Sequence, residues 1–115
     1  MSAKDARLYA KFTLDFPDHP KIKPLSDGAF RALHEMISYS CRLQTDGFID
    51  RRLVGSKREA GALWCLEHVL ELCNNDDENP SLEETPKGYV LHDFSDIQLT
   101  RADIEARRKV KQTAG

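Results

Sequence analysis

A chain of 115 residues has room for one compact domain with a real core, and not for two. With 40% hydrophobic and 31% charged residues it has the composition of an ordinary folded domain, slightly rich in charge. Seventeen basic and nineteen acidic side chains leave a formal charge of −2, which excludes a polybasic protein held on nucleic acid by bulk charge alone. Cys41, Cys65 and Cys73 are too few, and odd in number, for a disulfide framework, and they fit a reducing compartment. The N-terminal residues show no apolar core of a signal peptide, and the longest strictly apolar run, Ala62 to Leu66, falls far short of a membrane span. The expectation is a cytoplasmic domain with no membrane partner.

From Lys11 to Phe16 the chain alternates, with Phe12, Leu14 and Phe16 on one side, which predicts a half-buried strand. Pro17, Pro20 and Pro24 then forbid a helix until Ser26, a candidate N-cap. Phe30, Leu33, Ile37 and Cys41, widened by Ala29, Met36 and Tyr39, predict an amphipathic helix to about Leu43. Thr45-Asp46-Gly47 is turn chemistry, Phe48 to Asp50 a short strand, and Asp50 caps a short helix through Val54. Ser56-Lys57-Arg58-Glu59 has the form of a capping box and predicts a long helix from Lys57 to about Cys73. On its wheel Leu63, Leu66, Val69, Leu70 and Leu72 share a core face, while Trp64 lies with Gly61 and the charged residues.

Asn74 to Gly88 reads as a solvated, acidic loop, and Gly88 to Phe94 returns to strand composition. Thr100 and Asp103 open a polar helix towards Lys111. The order is mainly helical with a small β component. It predicts a winged helix-turn-helix with a β-hairpin wing over residues 1–99, followed at 100–115 by a basic C-terminal helix or the start of a linker.

The charge is sorted along the chain. Arg51 to Arg58 carries four positive residues and no negative one, whereas Asn74 to Glu84 carries five negative and no positive. Five basic residues between Arg101 and Lys111 face only Asp103 and Glu105. The DNA-contacting set expected from this pattern is Arg51, Arg52, Lys57 and Arg58 for phosphates, Gly61 for close backbone approach, Trp64 for sugar or base edges, and Lys87 at the wing. The plainer alternatives are a solvated basic face, a Trp64 that packs against the first strand or the hairpin, and a Gly61 that makes room for another helix. Glu67 and Glu71 argue against the C-terminal half of the helix following a phosphate backbone.

No catalytic constellation, cofactor motif or metal-ligand spacing stands out, so neither an enzyme nor a cofactor is expected. His92 and Asp93 are strand neighbours pointing to opposite faces and cannot form a dyad. Nothing in so short a chain points to a small-molecule pocket.

Three segments, Asp18 to Ile22 before Leu25-Ser26, Thr45 to Ile49, and Gly88 to Phe94, resemble the N-terminal domain of phage-type replication initiators, the DnaD-like replisome organisers. The resemblance implies a winged helix that binds double-stranded origin DNA, with a homodimer or a replication protein as further partner. Helicase-loading roles would reside in sequence beyond Gly115, so the chain would be either a stand-alone domain or a fragment. It departs from the family where Glu71-Leu72-Cys73 stands in place of a frequent Gly-Leu-Trp. The alternatives are a protein-interaction module that does not bind DNA and, less strongly motivated, a transcriptional regulator.

Overall fold

In the computed structural model, which describes residues 9–55, 61–92 and 94–114, the first long element is α1, Asp27–Leu43. It begins where Ser26 caps it, the Ser26 hydroxyl accepting the Ala29 amide at 3.2 Å. It ends at Gln44, in the left-handed conformation with φ 56°. The fully buried face consists of Ala29, Ala32, Leu33, Met36 and Ser40. Phe30, Ile37 and Cys41, expected at its centre, are the half-buried flank, together with Tyr39, expected beside them. Ser40 is buried because it ties down the turn that follows. Its hydroxyl bonds Thr45 Oγ1 at 2.6 Å and accepts the Gly47 amide at 2.6 Å.

The remaining elements are β1 (Phe48–Asp50), a 3-10 turn at Arg51–Leu53, β2 (Val54–Gly55), β3 (Trp64–Cys65), α2 (Leu66–Cys73), β4 (Leu82–Thr85), β5 (Gly88–Leu91), α3 (Phe94–Ile97) and α4 (Arg101–Ala114). β1, β5 and β4 form an antiparallel sheet in that order, with Ile49 opposite Tyr89 and Glu84 opposite Tyr89 on the other side. Ile49, Leu82, Val69, Leu72 and Met36 close the core between this sheet and the two helices. The result is a small domain of helices and one small sheet, mixed α and β, with a minor β2–β3 pair beside it.

The strand expected over Gly88 to Phe94 ends at Leu91, and Phe94 opens α3 instead; three further elements differ. No strand forms at Lys11–Phe16: Phe16–Asp18 is a 3-10 turn and Leu14 is wholly exposed. No sheet edge receives the segment, and Phe12 and Phe16 instead pack their rings against His34 of α1, at 4.6 and 5.3 Å between centroids. The Lys11 amide and carbonyl are satisfied by the side chain of buried Gln98.

The long helix is the second difference, because α2 starts only at Leu66. Gly61 has φ 87°, a left-handed conformation that no right-handed helix contains. The Leu63 amide donates to the Leu53 carbonyl at 2.7 Å, and Trp64 and Cys65 pair in parallel with Val54 and Gly55. The capping box at Ser56–Glu59 lies outside the described residues. Third, the acidic loop is shorter than its composition implies. Leu82 is fully buried and anchors β4, so only about residues 74–81 form the excursion.

Candidate nucleic-acid interface

Three of the expected contact residues converge on one edge of the sheet. In the β1–β5 register Asp50 faces Gly88, and immediately beyond it the Arg51 amide donates to the Lys87 carbonyl at 3.1 Å. Gly88 makes this approach possible: a Cβ there would stand 2.1 Å from the Ile49 carbonyl oxygen. The hairpin turn bearing Lys87 is thus held against the start of the 3-10 turn bearing Arg51 and Arg52. Asp50 caps that turn as its sequence position predicts, its carboxylate accepting the Arg52 amide at 2.9 Å.

Each arginine already has an acidic neighbour. Arg51 donates to Glu84 Oε2 at 3.0 Å and to the Thr85 carbonyl at 2.9 Å, with its guanidinium 5.5 Å from the centre of the Tyr89 ring. Arg52 grips both oxygens of Asp50, at 3.1 and 3.2 Å. These bonds to Arg52 hold the Asp50 carboxyl below its ordinary range. The Arg52 side chain is 89% exposed and Arg51 about half exposed, while Lys87 is exposed at the turn. Exposed ion pairs of this kind contribute little to stability and exchange readily for another anion.

Of the other expected residues that are described, Gly61 and Trp64 do not join this edge. Lys57 and Arg58 lie outside the described residues. Gly61 is in a turn, so it does not thin a helix for close approach to a groove. Trp64, expected among exposed polar residues, is buried, with 7% of its surface accessible. It meets Tyr39 edge to face at 5.5 Å, and its indole N–H donates to Glu35 Oε1 at 3.0 Å. The wheel misplaced it because residues 64 and 65 have strand rather than helix geometry. The packing alternative therefore describes Trp64, although its neighbours are α1 rather than a first strand or the hairpin.

Sequence reasoning missed two surfaces. Leu66 and Leu70, expected in the core, are 37% and 47% exposed and with Glu67 form the outer side of α2, while Leu63, in the chain before β3, is 56% exposed. The late start of the helix rotates and shortens the face that reaches α1. A cavity of about 360 Å³ also lies between residues 13–22, α1 and the end of the hairpin, with an apolar floor of Phe16, Leu33, Ile37 and Phe94. His19, Lys21 and His92 share its mouth with Asp15, a mixed rim that selects neither sign of charge. Among the described residues, no group of three or more His, Cys, Asp or Glu side chains could hold a metal ion, and no helix is long and apolar enough to cross a membrane. No family model, curated protein or solved structure matches the chain.

Proposed function

We propose that the domain is a winged helix that binds double-stranded DNA through the edge built by Arg51, Arg52 and Lys87, in the replication-initiation role implied by its resemblance to phage-type initiators. The observation that carries this reading is the junction of the hairpin turn with the end of β1, which gathers these cations from distant parts of the chain. The element order supports it: a long helix, a strand, a second helix and then a hairpin whose second strand lies centrally, β1–β5–β4. Binding is modest and strongly salt-dependent, because Asp50 and Glu84 must yield their arginines to phosphate.

The test is fluorescence anisotropy with a labelled duplex at about 50 mM salt, where phosphate contacts weigh most. Reversing Arg51, Arg52 and Lys87 together to Glu abolishes binding on this reading, and unchanged affinity overturns it.

A second reading, a protein-interaction module, is favoured by the apolar outer side of α2. A helix presenting Leu66, Glu67 and Leu70 is poorly suited to a groove lined by phosphates and well suited to a protein surface. On that reading Leu66→Glu with Leu70→Glu removes self-association or partner binding in light scattering, while duplex binding is absent throughout.

A further inference from the structure

α4 is a helix with almost no core of its own. Between Arg101 and Val110 only Ile104 is buried, and every other residue is exposed. A helix polar around its girth draws little stability from packing and either rests on ion pairs one turn apart or bridges to another body. Its first turn is well furnished. Asp103 accepts the Thr100 amide at 3.0 Å and Thr100 the Asp103 amide at 3.2 Å, and Asp46 accepts the Arg101 amide at 2.7 Å. Arg101 pairs with Glu105 at 3.5 Å, and the charge of Arg107, one turn on, helps to hold the Asp103 carboxyl low.

Beyond Glu105 the charged residues are all basic. No acidic residue follows to the end of the helix, and Arg107, Arg108 and Lys109 are consecutive. Successive residues of a helix fan around its axis, so these three present positive charge over most of the circumference. Cations near a helix C-terminus complement the backbone dipole, and that accounts for part of the sorting. It does not call for three in a row.

Resting on the DNA reading above, we propose that the far half of α4 is a phosphate-contacting arm for double-stranded DNA, adding contacts to those of Arg51, Arg52 and Lys87. The helix is about 21 Å long by its residue count, enough to lie along several phosphates of a duplex. A lipid surface fits less well, since membrane-lying helices need a broad apolar face. Here Val110 is the one large apolar residue exposed between Arg101 and Val110.

The experiment measures the slope of log affinity against log salt for a labelled duplex, comparing wild type, R107Q/R108Q and the control K11Q/K23Q. The arm predicts a slope reduced in magnitude by about 1 to 2 in R107Q/R108Q, at about 0.9 for each phosphate no longer neutralised. K11Q/K23Q, with the same change in net charge, leaves the slope unchanged. Thermal unfolding followed by circular dichroism is the same for wild type and R107Q/R108Q, since both arginines are exposed. A wild-type slope retained by R107Q/R108Q overturns the arm alone, as does an equal reduction in both variants. Loss of binding to anionic vesicles without a change in duplex slope transfers the arm to membranes and overturns the proposal. Failure of the wild-type chain to bind duplex at all removes the DNA reading and the arm together.

Discussion

α1 and α2 pack against each other, yet α1 turns a whole face to the core and α2 only part of one. α1 runs for 17 residues, and its buried stripe, from Ala29 through Met36 to Ser40, is shared by sheet and helix neighbours. α2 has eight residues, buries Val69 and Leu72, and leaves Leu66 and Leu70 outside. Their starts differ as well. Ser26 caps α1 with its own hydroxyl, whereas Cys65 makes no side-chain bond at the start of α2. Besides this packing, a hydrogen-bonded junction ties them at the N-cap of α1, where the Ser26 amide and hydroxyl both donate to the Glu71 carboxylate at 2.7 Å. An apolar face is buried only when another surface reaches it, and the short α2 turns one side to α1 and the other to solvent.

This contrast can be broken in order of expected effect. Met36→Ala leaves a void in a fully buried site and costs about 2–5 kcal/mol, whereas Leu70→Ala costs well under about 1 kcal/mol. Urea unfolding of the two variants measures both, and equal losses would mean that the outer side of α2 is packed as tightly as the inner side of α1. Ser26→Ala removes a cap and one of the donors to Glu71 together, lowering stability by about 1–2 kcal/mol in the same assay. Trp64→Phe keeps the ring contact with Tyr39 but strands the Glu35 bond, for a loss of about 1 kcal/mol. The near-ultraviolet circular dichroism of Trp64 should report its rigid setting in the wild type.

The smallest effect is electrostatic. Bonds from the Ser26 amide and hydroxyl hold the Glu71 carboxyl below its ordinary value of 4.5. A depressed carboxyl stabilises the fold above its unfolded value and loses that contribution as pH falls through the folded one. Stability therefore declines in acid below about pH 4.5, and Glu71→Gln makes the decline shallower. Unfolding midpoints measured over that range for wild type and E71Q isolate Glu71 from Asp50, Asp76 and Asp103, whose carboxyls are also held low. Parallel curves would show that the Ser26–Glu71 junction contributes nothing to folding.

Much of the frame was legible from residue types whose effects are local. Ser26 and Asp50 cap their turns, Asp46-Gly47 turns with positive φ at both residues, Thr100 and Asp103 form their capping pair, and Gly88 begins a strand. Each of these depends on neighbours within a few positions. Of the candidate site, Arg51 and Arg52 stood out as a basic pair and Lys87 as the one cation between Asn74 and Leu91. What could not be read was that Arg51 and Lys87 meet, or that Glu84 and Asp50 already hold the arginines.

Sequence by itself determined the capped helices, the turns and the sorting of charge into basic and acidic blocks, because hydrogen bonding and charge over a few residues do not need the rest of the chain. Only the tertiary structure decided the fate of residues whose pattern fits two geometries. Trp64, set on the polar side of a helical wheel, was taken by a strand partner at Val54, and Leu82, isolated in an acidic loop, was taken into the core opposite Leu91. Leu66 and Leu70 were left outside for want of a surface to cover them. The overall charge of −2 survives as arithmetic, while the fold sets Arg51 beside Lys87 and leaves Arg107 and Arg108 on a helix almost wholly exposed.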